Sequence, residues 1–237
     1  MNPAPRALSL DLDDTLWPIW PVIERAEAAL DLFLRERCPR TAAKFPVLKM
    51  RELRNRVADE HPHLAHDFTR QRKLSLLRAL RESGDDEAHA EDAFDAFYTA
   101  RNAIEFFPDA MHALTRLTAR LPVAALTNGN ADLEKIGIAS HFVVCITARD
   151  AGHAKPDTPI FHATCDRLRV APHELLHVGD DPELDIVGAQ RAGVRSCWIN
   201  RRNETWPEHL PPPELEFATL TALADWLDAH PVFLENA

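Results

Sequence analysis

The sequence has 237 residues, which is enough for one large domain or two small ones. Acidic residues outnumber basic ones by 37 to 27, giving a formal net charge of −10, and an acidic surface repels nucleic acid phosphates and anionic membranes, so we expect neither as a partner. With 46% hydrophobic and 27% charged residues, the composition is that of a globular protein and excludes wholesale disorder.

Three further features predict a cytoplasmic protein. The sequence contains no apolar run near the ~20 residues that cross a bilayer. Residues 1–8 carry one arginine and are not followed by the apolar stretch of a secretory signal. The four cysteines lie far apart, without a Cys-x-x-Cys pair, so we expect reduced thiols rather than a zinc or redox site.

The first part of the chain combines one strand with a helical block. Residues 7–12 form a short apolar run that ends in carboxylates, which predicts a buried strand followed by a charged loop. After it, apolar residues recur at helical spacing between dense charges, with prolines and Gly84 at plausible helix ends. This periodicity predicts helices over residues 23–37, 48–58, 68–80 and 87–104.

From residue 108 onward, short apolar runs alternate with helical segments. The runs predict strands over residues 123–126, 142–146, 176–178 and 196–199, and the helical periods cover 111–121, 158–168, 187–192 and 220–227. Such alternation favours an α/β fold with a doubly wound parallel sheet. We therefore predict a core domain from residues 1–16 and 105–237, with an inserted all-helical cap domain at 17–104.

Polar residues collect where the predicted strands end. They are Asp11, Asp13, Asp14, Thr127, Asn128, Asp180 and Asp181, with Lys155 in the loop after the third strand. In open parallel sheets, ligands bind beyond the carboxyl ends of the strands. Converging carboxylates repel one another unless a cation is bound, and a few oxygen ligands suit Mg²⁺. The Thr127 hydroxyl and the Lys155 ammonium would favour a phosphate beside that ion.

Less specific interpretations of these residues remain open. Residues 11–15 could form an acidic turn or a calcium loop, although an EF-hand would need Gly and Glu where Leu16 and Val22 stand. His61, His63 and His66 invite a metal hypothesis, but their spacing fits no helix-face pair and Pro62 interrupts it. We interpret them as surface or cap histidines.

Four motifs in order resemble those of the haloacid dehalogenase (HAD) superfamily. They are DLDDTL from Asp11, LTNG from Leu126, Lys155-Pro156, and GDDPELD ending at Asp185. The resemblance runs through the whole chain and includes a helical insertion where one class of the family carries its cap. It implies a Rossmann-like core, Mg²⁺ as cofactor, and phosphoryl transfer through an aspartyl phosphate.

The resemblance also implies roles for the matching residues. Asp11 would be the nucleophile, and Asp13 would protonate the leaving oxygen and then activate water. Mg²⁺ would be held by the side chains of Asp11 and Asp180 and by the backbone carbonyl of Asp13. Phosphate binding falls to Thr127, Asn128 and Lys155, and Asp181 or Asp185 would orient Lys155 or metal-bound water from the outer shell.

Asp13 separates two chemistries within the superfamily. Members that displace halide from carbon lack an acid at this position, because halide leaves without a proton. An alkoxide needs a proton to leave, so Asp13 favours hydrolysis of phosphate esters.

A closer resemblance is to a bacterial subgroup that dephosphorylates FMN and the phosphorylated ribitylaminouracil intermediate of riboflavin synthesis. It rests on Trp17, Arg25, Glu27 and residues 21–23, 66–70, 127–131, 176–181, 192–193 and 197–199. Trp17 and Trp20 could stack on a ring, and Arg70 could supply a polar contact.

Alternative functions are hydrolysis of another small phosphate monoester (a sugar phosphate, phosphoglycolate or a nucleotide), dehalogenation, and a non-catalytic binding role. For the enzyme we expect a small phosphorylated metabolite as partner and a monomer or homodimer.

Overall fold

The computed structural model describes residues 4–230, so the first three and last seven residues of the predicted core domain lie outside the description. The chain divides into two compact units, one built on a sheet and one entirely helical. The sheet unit runs up to Pro18, over Glu105–Gly129 and from Gly137 onward; the helical unit comprises Ile19–Ile104 and Asn130–Ile136. Among the described helices, none has both the length and the apolar character to span a membrane.

The sheet unit is organised around six parallel strands in the order β3-β2-β1-β4-β5-β6. The strands are β1 Ala7–Leu10, β2 Val123–Thr127, β3 Val144–Thr147, β4 Leu175–Gly179, β5 Arg195–Ile199 and β6 Leu215–Phe217. Every residue of β1, β2 and β4 is buried, which is why their sequences are continuous apolar runs rather than alternating ones. The predicted doubly wound α/β fold is confirmed.

The sheet differs from the sequence prediction at β6, a sixth strand. Leu215 and Phe217 are partly buried and Glu216 is exposed, so the sequence around them contains no apolar run that would mark a strand. Its pairing is settled by contact with β5, where Ile199 lies opposite Phe217.

The helices of the sheet unit lie between and after the strands. They are α6 Ala110–Thr118, α8 Ala148–Ala151, α9 Thr158–Leu168, α10 Gly188–Arg191 and α11 Leu220–Ala229. A π-helical segment, Pro182–Val187, precedes α10. A buried cluster joins α9 and α10 to the sheet through Phe161, Cys165 and Ala189.

The helical unit contains α1 Ile19–Arg37, α2 Pro39–Lys44, α3 Val47–Glu60, α4 Phe68–Ser83, α5 Ala90–Arg101 and α7 Leu133–Ile136. Helix α4 shows typical capping at both ends. At its start Asp67 accepts a hydrogen bond from the backbone N–H of Arg70, and at its end Gly84 adopts the left-handed conformation. The apolar faces of α1, α3, α4 and α5 meet in one buried cluster that includes Leu30, Leu53 and Phe97. That this unit acts as a cap stays a prediction.

The strand order positions the functional residues. The chain passes from β1 to β2 on one side, whereas β4 lies on the other side of β1. Such a reversal of strand order opens a crevice beyond the carboxyl ends of the two diverging strands. Asp11 follows β1 and Asp180 follows β4, so the topology brings them to the same crevice.

Candidate active site

The loop after β1 is held in place by backbone hydrogen bonds. The N–H of Asp11 donates to Val178 O on β4 at 2.9 Å, and the N–H of Asp14 donates to Trp17 O at 2.7 Å. Asp14 has a φ of +59°, a left-handed conformation that aspartate tolerates better than most residues. The loop therefore turns sharply with Asp11 anchored to the sheet and Asp13 two residues beyond it.

Lys155 links two buried carboxylates. Its Nζ donates to Asp11 Oδ1 and to Asp185 Oδ1, each at 2.6 Å, and all three side chains are almost completely buried. Burial opposes the charge on Lys155, but the two carboxylates outweigh it and raise its pKa. Asp185 is also held ionised, because Lys155 and His177 outweigh its burial and lower its pKa.

Asp180 brings a third carboxylate to this cluster. Its Oδ1 accepts a hydrogen bond from Thr15 Oγ1 at 3.3 Å, and its backbone carbonyl accepts one from Trp198 Nε1 at 2.7 Å. Burial and the negative charges of Asp11 and Asp185 raise the pKa of Asp180. Burial likewise raises the pKa of Asp11, although Lys155 acts against it.

The negative charge of the three carboxylates favours a divalent cation beside Asp11 and Asp180, since Asp185 already accepts hydrogen bonds through both of its oxygens. Asp11, Asp180 and Asp185 each offer an oxygen, and these atoms lie within 4.8 Å of one another. When all three are ionised, the carboxylates and the one ammonium leave two negative charges to be balanced, and oxygen donors suit Mg²⁺. Among residues 4–230, this trio, and not the segment with His61, His63 and His66, brings together three metal-ligating side chains.

The sequence does not decide whether Asp181 or Asp185 orients Lys155, but the two residues have different surroundings in the structure. Asp185 Oδ1 accepts from Lys155 and from His177 Nε2, and Oδ2 accepts from the N–H of Asp181 at 3.0 Å. The Asp181 carboxylate instead accepts from the N–H groups of Glu183 and Leu184, capping the π-helical segment. Asp185 is therefore the residue that orients Lys155.

The loop after β2 holds the Lys155 backbone. The Asn128 amide donates to Lys155 O at 2.9 Å and its oxygen accepts from Lys155 N at 2.8 Å. Thr127 Oγ1, buried at the end of β2, accepts from the N–H of Gly129 at 2.9 Å. The Asn128 side chain thus positions Lys155, and phosphate binding by Thr127 and Asn128 stays a prediction.

The structure also places Asp13 and the three residues predicted to contact the substrate, which are Trp17, Trp20 and Arg70. Trp17 is fully buried in the sheet unit, where its Nε1 donates to Asp13 Oδ1 at 2.8 Å. Its ring meets Phe106 edge-on. Trp20 is 62% exposed on α1, and Arg70 is exposed in the first turn of α4. Trp17 thus positions Asp13, whereas substrate contacts by these residues stay predictions.

Two functional candidates were missed by sequence reasoning. Ser9 and His177 are fully buried in β1 and β4 and lie opposite each other in the register. Ser9 Oγ is 2.9 Å from His177 Nδ1. The available signal was a polar residue inside each of two otherwise apolar strands, because such a group needs a buried partner.

The chain matches one protein family and is similar to several proteins of named activity. The model of the haloacid dehalogenase-like hydrolase family matches residues 5–193 of this chain. The 5-amino-6-(5-phospho-D-ribitylamino)uracil phosphatase YigB of Escherichia coli is 34% identical over 225 residues, which are 92% of this chain and 94% of that protein. Phosphoserine phosphatase of Thermus thermophilus is 36% identical over 136 residues, 55% of each chain.

Among solved structures, 2-haloacid dehalogenase from Pseudomonas syringae is 35% identical, with a TM-score of 0.87 over 94% of this chain and 98% of that one. The names of these similar proteins state two chemistries, phosphate ester hydrolysis and removal of halide.

Proposed function

Because the chain belongs to the haloacid dehalogenase-like hydrolase family, we propose that it is a Mg²⁺-dependent phosphatase of a small phosphate monoester. The proposal depends chiefly on Asp13, whose carboxyl group lies two residues beyond Asp11 and is held by Trp17 Nε1 at 2.8 Å. A positioned acid is needed to protonate a leaving alkoxide and is not needed for a leaving halide.

The buried carboxylate of Asp11 supplies the nucleophile. It attacks the phosphorus atom, the bond from phosphorus to the ester oxygen breaks, and an aspartyl phosphate forms. Lys155, 2.6 Å from Asp11 Oδ1, favours the ionised form of that carboxyl group against its burial. The ammonium also reduces the repulsion between Asp11 and an incoming phosphate.

Asp13 carries the protons. Its carboxyl group donates one to the departing oxygen, and its carboxylate then takes one from the water that hydrolyses the aspartyl phosphate. A hydrogen bond from Trp17 Nε1 positions Asp13 Oδ1 for this role. Side-chain oxygens of Asp11 and Asp180, with the carbonyl of Asp13, would hold Mg²⁺, which when bound supplies positive charge to the transferring phosphoryl group.

We infer FMN or phosphorylated ribitylaminouracil as the substrate. The Escherichia coli phosphatase named for the latter compound matches this chain over nearly its full length at 34% identity. Cap residues choose the leaving group in this proposal, with Trp20 and Arg70 as candidates, and another small phosphate monoester is the alternative.

Dehalogenation is a second candidate because of the similarity to the Pseudomonas syringae enzyme. One parallel assay tests both functions: phosphate release from FMN, phosphorylated ribitylaminouracil, phosphoserine and sugar phosphates, and halide release from a 2-haloacid. We expect phosphate release, fastest from the two riboflavin-related compounds. Activity confined to sugar phosphates would contradict the substrate, and halide release without phosphatase activity would contradict the reaction.

A further inference from the structure

A continuous chain of buried side chains connects the interior of the sheet to Asp11. Ser9 Oγ lies 2.9 Å from His177 Nδ1, His177 Nε2 lies 3.1 Å from Asp185 Oδ1, and Lys155 Nζ bridges Asp185 to Asp11. We propose that His177 and Ser9 are positioning residues, which fix Lys155 by orienting Asp185. The inference deepens the proposed phosphatase function and rests on it.

The hydrogen-bond geometry favours one tautomer of His177. An ionised carboxylate only accepts, so His177 Nε2 carries the hydrogen that Asp185 Oδ1 receives. In a neutral ring, the proton on Nε2 leaves a lone pair on Nδ1, which faces Ser9 Oγ at 2.9 Å. That lone pair accepts the Ser9 hydroxyl hydrogen. Ser9 thereby selects the Nε2–H tautomer, and the wrong tautomer would set a lone pair against Asp185.

Asp185 has no freedom to leave this arrangement. Both of its oxygens are engaged, Oδ1 by Lys155 and His177 and Oδ2 by the N–H of Asp181. Its carboxylate also occupies the space beside Gly179, where an added Cβ would lie 2.2 Å from Oδ2. Without the His177 hydrogen bond, Lys155 would be the remaining side-chain donor to Oδ1, and the direction in which Oδ1 faces Lys155 would be less well defined.

The sheet register explains why the chain of contacts is rigid. Ser9 pairs with His177 across β1 and β4, and both strands are fully buried. Asp11 lies two residues after Ser9, and Asp11 N is bonded to Val178 O beside His177. The nucleophile and the residues that orient its lysine are thus carried by the same pair of strands.

A purely structural role for His177 predicts different behaviour. Its ring packs edge-on against Phe161, with centroids 5.1 Å apart. If packing were its only role, an apolar replacement would serve better than a polar one. If positioning is its role, a replacement that keeps an N–H donor toward Asp185 would retain activity and an apolar one would not.

The experiment compares His177→Gln, which keeps a donor, with His177→Leu, which fills the space without one. We expect His177→Leu to lower kcat about 10- to 100-fold, the range for residues that orient an active-site group, and His177→Gln to restore most of it. Ser9→Ala should lower kcat about 3- to 10-fold, the equivalent of one hydrogen bond.

Ser196→Ala is the matched control. Ser196 is equally buried and lies opposite His177 on β5, but its hydroxyl contacts Gln190 and Glu214 N–H. We expect its kcat to stay within about 2-fold of wild type. Equal activity of His177→Leu and His177→Gln, or an equal loss in Ser196→Ala, would overturn the proposal.

A second readout, the tautomer of His177 in the wild-type protein, is independent of turnover. In ¹⁵N-histidine-labelled wild-type protein, the His177 resonances are assigned as those that are absent from the spectrum of His177→Gln. These resonances should show a proton on Nε2 and none on Nδ1. Protonation of Nδ1 would overturn the inference even in an active enzyme. Conversely, wild-type protein without phosphatase activity but with this tautomer would contradict the proposed function and leave the hydrogen-bond chain established.

Discussion

At the scale of single residues, the site depends on opposing influences on buried carboxylates. Burial raises the pKa of Asp11 while Lys155 lowers it, and for Asp185 the contacts with Lys155 and His177 prevail. For Asp180, burial and the charges of Asp11 and Asp185 outweigh the effect of Lys155, and its pKa is raised. The cluster is therefore arranged to gain from a positive ion near Asp11 and Asp180.

The clearest residue-scale prediction concerns Asp13→Asn. The change removes the proton donor but keeps the backbone carbonyl, so we expect turnover of phosphate monoesters to fall about 100- to 10,000-fold with Mg²⁺ affinity unchanged within a few-fold. Steady-state kinetics and a Mg²⁺ titration followed by calorimetry measure the two quantities. Asp14→Asn, the same substitution in the same loop, is the control that should retain turnover. Parallel loss of Mg²⁺ affinity in Asp13→Asn would contradict the role of the carbonyl.

Sequence alone could place Asp11, Asp13 and Asp180 at strand ends, because a carboxylate directly after an apolar run is conspicuous. It could not choose between Asp181 and Asp185. That choice depends on the π-helical segment, in which Asp181 caps the N–H groups of Glu183 and Leu184 and Asp185 turns back to Lys155.

At the scale of elements, the end of β4 meets the π-helical segment at very short range. Gly179 is the last residue of β4, and the Asp185 carboxylate fills the position that a side chain would occupy there. Because Gly179 has no side chain, Asp185, six residues later in the chain, can approach β4 closely and reach Lys155.

Gly179→Ala tests this packing. The new Cβ would lie 2.2 Å from Asp185 Oδ2, so we expect a loss of about 1–3 kcal/mol in the free energy of unfolding and at least a ~10-fold loss of turnover. Gly152→Ala is the control: its φ is +70° but no atom lies within 4 Å of the added Cβ. It should cost about 1–2 kcal/mol without lowering kcat. Normal turnover of Gly179→Ala would show that Asp185 need not hold this position.

Most helices and strands were predictable because a buried strand or helix face requires apolar residues at a regular spacing, and that spacing is visible in the sequence. The helix over residues 158–168 was predicted with the bounds that the structure gives it. The sequence predicts that residues 187–192 continue a helix that ends at Gly193; the helical backbone begins at Pro182, where it is π-helical. Strand β6 depends on its neighbour rather than on its own three residues, and so its sequence could not reveal it.

At the scale of the whole molecule, metal binding should be linked to stability and pH. Raised pKa values of Asp11 and Asp180 mean that the metal-free folded state retains protons that the unfolded state releases. Its stability therefore falls as pH rises from the ordinary carboxyl range toward the raised values. A bound cation requires the ionised forms, so it opposes this fall.

We accordingly expect Mg²⁺ to raise the thermal unfolding midpoint, and to raise it more at pH 8 than at pH 6. Scanning calorimetry with and without excess Mg²⁺ measures the increment at each pH. Asp180→Asn should abolish the increment, whereas Asp166→Asn, which removes an exposed carboxylate of α9, should leave it intact. An increment that shrinks with rising pH would contradict the linkage.

Release of inorganic phosphate from an aryl phosphate tests most directly whether Asp11 and a divalent cation perform phosphoryl transfer. Wild-type protein with Mg²⁺ should release phosphate, excess EDTA should stop the release, and added Mg²⁺ should restore it. Asp11→Asn should remain folded yet show at least a ~1,000-fold lower rate. Unchanged phosphate release by Asp11→Asn, or by the wild-type protein in EDTA, would contradict the account.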